Sequence, residues 1–209
     1  MSFISWLWTK FYDKTMQDAE LKCLKDWRAA LLGNLSEVVL EIGSGTGINL
    51  DYYPDTVKQL ILIEPDKHMR YKLQEKMATK NNSAIKVLDC AAESIPLANA
   101  SCDVIVSTLV LCTVKDQAKA LLELHRLLRP KGKLIFIEHT AATNHPQRLK
   151  WQHRLEPFWK IISCGCHLTR HTEEAILKAG FVFEDISRQS MRGVPPIVRP
   201  SIKGIAVKL

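Results

Sequence analysis

Residues 38 to 47, Val-Val-Leu-Glu-Ile-Gly-Ser-Gly-Thr-Gly, decide how the rest of the chain is read. An apolar β-type run carries an acid, Glu41, near its end, and glycines then fall at alternate positions, 43, 45 and 47. This is the pattern of a buried strand that bends sharply through a loop with almost no side-chain bulk. Glycine permits such a turn and lets backbone lie against a bulky ligand without a Cβ between them. The spacing is Gly-x-Gly-x-Gly, not the Gly-x-Gly-x-x-Gly of dinucleotide folds or the Gly-Lys-Ser/Thr ending of a phosphate loop, and no lysine stands in it. The ligand expected at this bend is a nucleoside without a pyrophosphate.

Downstream of Glu37, strand and helix signals alternate. Strands are expected at 37–42, 59–64, 84–89, 103–108 and 133–139, and helices at 47–53, 66–79, 116–128, 147–162 and 171–179. Val104-Ile105-Val106 reads as buried on both faces, as in a parallel sheet. The alternation implies right-handed crossovers and a doubly wound α/β domain. Arg129-Pro130-Lys131-Gly132 and Lys178-Ala179-Gly180 are helix stops. Two last strands, near 181–188 and 202–208, suggest an antiparallel hairpin at the sheet edge. Upstream, residues 1–35 are assigned to N-terminal helices acting as a lid or surface element, and 36–209 to the main domain. Phe3, Ile4, Leu7, Trp8 and Phe11 fall at helical spacing over residues 3–11, as a face packed on the domain or touching lipid. A second helix is expected over 16–32.

The 209 residues suggest one domain with small appended segments. A formal net charge of +7 fits a solvated basic surface, or attraction to acidic lipid or anionic substrates. Nucleic acid is not expected as a partner, because the Lys and Arg are scattered and no recognition motif accompanies them. Cysteines stand at 23, 90, 102, 112, 164 and 166 with no Cys-x-x-Cys pair, so no metal site is expected and a reducing cytoplasm fits best. Neither a secretory leader nor an apolar run near the ~20 residues of a membrane span is read. The expected location is cytoplasmic, with residues 3–11 as the candidate for peripheral membrane contact.

In open α/β sheets the ligand sits beyond the carboxyl ends of the strands. The second strand ends at Glu64-Pro65-Asp66, and a carboxylate at 64 can accept hydrogen bonds from both ribose hydroxyls. Asp66 better fits a helix N-terminal acid. The third strand leads into Asp89-Cys90-Ala91-Ala92-Glu93, where a backbone N–H can meet an adenine nitrogen. The fourth leads into Ser107-Thr108-Leu109, whose carbonyls can receive an ammonium and whose Leu109 can cover the glycine loop. His139, at the end of the fifth strand, is the candidate base for an acceptor, with a packing histidine as the alternative. Tyr12 either closes over the cofactor or packs in the core. Trp151, Phe158 and Trp159 line an acceptor pocket or belong to the core. Arg170 supplies positive potential or caps backbone carbonyls. Cys164 and Cys166 alone cannot complete a tetrahedral zinc site.

Taken together, Glu-Ile-Gly-Ser-Gly-Thr-Gly (41–47), the acid at 64, Ala-Ala-Glu-Ser-Ile-Pro (91–96) and Leu-Arg-Pro-Lys-Gly-Lys-Leu (128–134) resemble the class I S-adenosylmethionine-dependent methyltransferases over about residues 36 to 140. The resemblance implies S-adenosyl-L-methionine as cofactor and a Rossmann-like, seven-stranded, mostly parallel sheet with the last strand antiparallel. It also implies a cofactor-binding set of Tyr12, Glu41, Gly43, Ser44, Gly45, Gly47, Glu64, Pro65, Met69, Ala92, Glu93, Thr108 and Leu109. Many relatives carry Asp where Ala91 stands, so the adenine contact falls to the backbone of Ala92 and Glu93. A narrower resemblance covers nearly the whole chain. Ser-Thr-Leu-Val-Leu-Cys-Thr-Val (107–114), Trp-Gln (151–152), Glu-Pro-Phe-Trp (156–159), Gly-Cys-His-Leu-Thr-Arg (165–170) and Val-Arg-Pro-Ser-Ile-Lys-Gly-Ile-Ala-Val-Lys (198–208), with Tyr12 and Met16, are similar to the alkyl-thiol S-methyltransferases of endoplasmic reticulum and lipid droplets. Those relatives carry a longer apolar N-terminal anchor. The implied reaction is methyl transfer to a small hydrophobic acceptor, a thiol sulfur first. The alternatives are a lipid headgroup amine or quinone-type ring, or cofactor binding without catalysis. The oligomeric state is not read from the sequence.

Overall fold

Seven strands form one sheet: β1 (Glu37–Ile42), β2 (Val57–Ile63), β3 (Ile85–Leu88), β4 (Cys102–Thr108), β5 (Leu128–His139), β6 (Phe181–Ser190) and β7 (Pro200–Lys208). The computed structural model describes residues 3–80 and 84–209; the side chains of residues 3–5, 7 and 8 lie outside the description. The strand order is β3-β2-β1-β4-β5-β7-β6. β1 to β5 pair in parallel, and β7 runs antiparallel between β5 and β6. The expected terminal hairpin is thus present, with β6 at the edge and β7 inside it.

Sequence alternation sets the layers. On one face Leu40, Ile42, Ile105 and Phe136 pack with Leu121 and Leu124 of α4 (Gln117–Leu127) and Ile176 of α6 (Thr172–Lys178). On the other, Val39, Leu62, Val104 and Val106 pack with Leu32 of α2 (Lys25–Leu32) and Leu73 of α3 (Lys67–Ala78). Each such buried side chain stabilises the fold by about 1.5–3 kcal/mol relative to exposure. The helices begin where their caps dictate. Asp66 accepts from the backbone N–H of His68 and Met69, and Asp116 from that of Lys119. Pro146 opens α5 (Pro146–Ile162) at the first turn, where no donor is missed.

Two expectations change. The helices anticipated at 3–11 and 16–32 are continuous: α1 (Phe3–Ala19) runs through a π-helical turn, Glu20–Leu24, into α2. Residues 12–15 contain neither Gly nor Pro to stop the helix, and the irregularity falls instead where Lys25 N–H reaches back to Glu20 O. The helix anticipated at 47–53 is only a 3-10 turn, Ile48–Asp51, closed by Tyr52 N–H on Asn49 O just before Pro54. The apolar face assigned to Phe3, Ile4, Leu7 and Trp8 lies outside the described side chains.

β1 sits between β2 and β4, so successive crossovers leave it on opposite sides of the sheet. The crevice this opens lies at the carboxyl ends of β1 and β4.

Candidate functional site

The glycine loop leaves β1 with Gly43, Gly45 and Gly47 all at positive φ. Two of them show what the spacing achieves. A Cβ on Gly47 would fall 2.7 Å from Leu73 Cδ1, so this glycine lets the loop press onto α3. A Cβ on Gly45 would meet nothing nearer than Gly43 O at 4.0 Å; its missing side chain faces open space. Gly45 N–H donates to Glu64 Oε2 at 2.8 Å, and Asp66 N–H to Oε1 at 2.9 Å. The carboxylate is thereby fixed against the loop. Burial pushes its pKa up, and the two backbone donors oppose that rise. A carboxylate has about four acceptor positions, so roughly two remain for hydroxyls of a ligand.

Pro65 follows directly, and Met69 is buried at the start of α3. Arg70 donates to Glu64 O at 2.6 Å and grips Asp89 through both terminal nitrogens, at 2.9 and 2.6 Å. It ties the tip of β2 to the segment leaving β3 and so sets where Ala92 and Glu93 lie. Ala92 is buried. The Glu93 carboxylate accepts from Lys115 and Asp116 N–H, bracing the entry to α4 and leaving its backbone for other partners.

The N-terminal helix lies across this loop. Thr46 Oγ1 donates to Asp13 at 2.7 Å, and Lys72 Nζ donates to Thr9 O at 2.7 Å. Behind them runs a buried polar chain. Arg28 pairs with Glu20 at 2.9 Å and donates to Asn49 Oδ1 at 2.6 Å. Asn49 Nδ2 donates to Glu41 Oε1 and to Thr108 Oγ1, both at 3.0 Å, and Tyr53 OH donates to Glu41 Oε2 at 2.6 Å. Both Glu41 oxygens are therefore engaged within the protein, and burial lifts its pKa to about 7 against the hydrogen bonds from Tyr53 and Asn49. The half-buried Tyr12 has its pKa raised by burial to about 12, so its phenol stays a neutral hydroxyl.

The ends of β4 and β5 complete the site. Leu109 adopts φ +61°, a conformation costly for a side chain with a Cβ, and its N–H donates to Ile137 O at 2.7 Å. The turn after it is held by Glu138, which is fully buried. Its carboxylate accepts from Ser107 Oγ (2.6 Å), from Val110 and Leu111 N–H (both 3.0 Å) and from Cys112 N–H (3.1 Å). Val110 then presses on Gly43, where a Cβ would fall 2.6 Å from its Cγ2.

His139 follows Glu138 and is buried, with Nδ1 3.4 Å from Cys166 Sγ; Cys166 Sγ is 3.7 Å from Cys112 Sγ. Cys164 and Gly165, both at positive φ, turn the chain so that Cys166 faces inward, and His167 N–H donates to Cys112 O at 2.8 Å. The hydrogen bond between the two thiols holds the Cys112 pKa well above its ordinary value and lowers that of Cys166, with burial opposing the fall. Arg170 donates to the carbonyls of Leu111 and Val114, each at 2.5 Å, so it acts as the carbonyl cap foreseen in the sequence.

The carboxyl ends of the strands thus gather the glycine loop, Glu64, Thr108, Leu109 and His139. Trp151 and Phe158, at 52% and 63% exposure, point outward from α5 and belong neither to the core nor to an enclosed pocket. Trp159 is half-buried, and Cys164 is exposed. Sequence reading missed Cys112, Glu138, Arg28, Asn49 and Arg70. Glu138 carried a signal, an acid inside the apolar run Leu-Ile-Phe-Ile-Glu-His. Cys112 and Cys166 stand in stretches that resemble the thiol S-methyltransferases, but nothing in the sequence joined them to each other, because they are distant in the chain.

Residues 40–136 match the family model of the methyltransferase domain. Thiol S-methyltransferase TMT1B of Rattus norvegicus is 39% identical to this chain over 185 residues, covering 85% of this chain and 74% of that protein. Thiol S-methyltransferase TMT1A of Homo sapiens is 36% identical over 178 residues, covering 84% and 72%. Among solved structures, an S-adenosylmethionine-dependent methyltransferase from Thermotoga maritima aligns over 100% of both chains with a TM-score of 0.72 at 19% identity, a likeness of fold.

Proposed function

Because this chain belongs to the thiol S-methyltransferases, within the S-adenosylmethionine-dependent methyltransferase family, we propose that it methylates the sulfur of a small hydrophobic thiol. The residues present fit the donor. Gly45 leaves open space, Glu64 offers acceptor positions beside it, and Leu109 and Thr108 edge the crevice. When bound, S-adenosylmethionine supplies an electrophilic methyl on a sulfonium and departs as a neutral thioether. No acid is then required for the leaving group, and the chain's task is to orient. Glu64 and the loop would hold the nucleoside, and the backbone of Ala92 and Glu93 the base. Tyr12 and the N-terminal helix would cover them. Orientation of this kind supplies up to about 7–11 kcal/mol in favourable cases. On the acceptor side a thiol is only a few per cent ionised at neutral pH. The group placed to favour its thiolate is His139, at the end of β5.

One observation carries this reading: the glycine loop and Glu64, bridged at 2.8 Å, share the carboxyl edge of the sheet with a cluster of two thiols and an imidazole. The test is a product-mass screen with isotope-labelled donor against alkyl thiols, amines and phenols. The label should appear on thiols. Label confined to amines or phenols, or on no acceptor, would overturn it.

We further propose that residues 3–11 touch an acidic lipid surface from the cytoplasmic side. Trp6 and Phe11 are 43% and 47% exposed, and Lys10 Nζ lies 5.4 and 6.0 Å from their ring centres. That combination of aromatic and cation suits the headgroup region. Among the described residues no helix is long and apolar enough to cross a membrane. Flotation with anionic liposomes should recover the full chain and lose the 1–11 deletion; equal recovery removes the proposal.

A further inference from the structure

We propose that Cys112, His139 and Cys166 form a binding site for a soft divalent cation, zinc foremost, with its fourth position left for the acceptor thiol. The proposal rests on the thiol reading above and deepens it.

Geometry is the first support. A tetrahedral zinc with Zn–S about 2.3 Å and Zn–N about 2.0–2.1 Å has ligand-to-ligand edges of about 3.8 Å for S···S and about 3.6 Å for S···N. The protein presents 3.7 Å between the two sulfurs and 3.4 Å from His139 Nδ1 to Cys166 Sγ, and the three ligand atoms all lie within 4.8 Å of one another. Two sulfurs and an imidazole select zinc over magnesium or calcium, which take oxygen.

Rigidity is the second. Each ligand is fixed by independent contacts. Glu138 clamps Cys112 N–H, and His167 N–H clamps the Cys112 carbonyl. Thr172 Oγ1 donates to His139 O at 3.3 Å, and the turn through Gly165 aims Cys166. Such a frame prepays the ordering that ligand capture needs.

Charge is the third. Two thiolates and a dication sum to zero, and the Arg170 guanidinium, within electrostatic reach of both thiols and of the buried Glu138 carboxylate, offsets the charge of the latter.

Among the described residues no fourth His, Cys, Asp or Glu joins these three, and three protein ligands are the complement of a catalytic rather than a structural zinc. On binding, the acceptor's S–H bond breaks and a sulfur–metal bond forms. The water formerly in the fourth position leaves, and the proton passes to bulk solvent. No electrons change hands. The bound sulfur is then anionic below the free thiol's pKa, and His139 acts as a ligand, not as the proton acceptor anticipated from sequence.

The test uses the full chain and Co2+ in the absence of the methyl donor. One Co2+ per chain should give near-ultraviolet thiolate charge transfer and visible bands of tetrahedral intensity, displaced by Zn2+. A short alkyl thiol should shift those bands. Cys112→Ser, Cys166→Ser and His139→Gln should each weaken Co2+ binding by about 100-fold or more, beyond the 10–100-fold typical of outer-shell partners. Unfolding of a variant does not blunt the test, since the unsubstituted chain gives the spectrum. Absence of these bands at saturating Co2+, or a Cys112–Cys166 disulfide in protein isolated without reductant, would overturn the site. Full thiol methylation by metal-free enzyme would also overturn it while leaving the thiol reading intact. Thiol-shifted bands without methylation of any thiol would support the site and remove the thiol reading instead.

Discussion

Replacing Glu64 by Ala should cripple donor binding while leaving the fold standing. In the free protein each carboxylate oxygen already accepts one backbone N–H, from Asp66 at 2.9 Å and Gly45 at 2.8 Å. Each oxygen therefore has one acceptor position left, and a ribose offers two neighbouring hydroxyls. Hydrogen bonds to a charged group contribute about 1.5–3 kcal/mol each. Two of them amount to about 3–6 kcal/mol, and water filling the space left by the truncated side chain makes the lower half the better expectation. At about 1.4 kcal/mol per factor of ten, affinity should fall by about 100- to 1,000-fold. Glu64→Gln should do nearly as badly, because its amide nitrogen must face one of the two backbone donors. Calorimetric titration with S-adenosylmethionine measures the loss, and thermal melts check the fold. Asp66→Ala is the control: it removes the α3 cap, costing about 0.5–2 kcal/mol of stability, with affinity nearly retained. Unchanged affinity in Glu64→Ala, or equal losses in the two variants, would refute the ribose role.

The two inner glycines should separate binding from stability. Gly45→Ala should weaken the donor more than it lowers Tm, and Gly47→Ala, whose Cβ would meet Leu73 at 2.7 Å, should do the reverse in paired melts and titrations. Glu138→Ala strands four donors, three of them buried, and should cost about 3–5 kcal/mol in urea unfolding. Loss below 1 kcal/mol, on the order of one ordinary hydrogen bond, would mean the turn holds itself. Glu41 predicts a pH dependence. Its folded pKa of about 7 exceeds the ordinary 4.5, so the folded state holds the proton more tightly. Its contribution is fully present below 4.5 and lost as pH rises through 7, by up to about 3 kcal/mol. Stability measured at a series of pH values should show that decline in the parent chain and a flatter profile in Glu41→Gln; parallel profiles would remove Glu41 as its source.

Much of the donor side was legible in sequence because its signals are local. Positive φ at residues 43, 45 and 47 calls for glycine whatever surrounds it, and the strand–helix alternation places Glu64 at the tip of the next strand. What the side chains do was less legible. Glu41 sits in the motif yet spends both oxygens on Asn49 and Tyr53. Its partner Asn49 is in turn held by Arg28, in a helix read from sequence as separate from α1. The aromatic residues of α5 showed helical spacing, but spacing does not say which face meets the domain, and Trp151 and Phe158 face solvent.

By itself the sequence determined the α/β alternation and the glycine bend with its acidic partner; the methyl donor came through the family resemblance those stretches carry. The alternation and the bend are written in backbone sterics and in the periodicity of neighbouring residues, which survive without knowledge of distant contacts. Tertiary structure alone decided that Cys112, His139 and Cys166 meet within hydrogen-bonding range, and that Glu138 holds the turn between them. Cys112 follows β4, Glu138 and His139 end β5, and Cys166 lies between α5 and α6, and no spacing rule links positions that only strand order and crossover packing bring together.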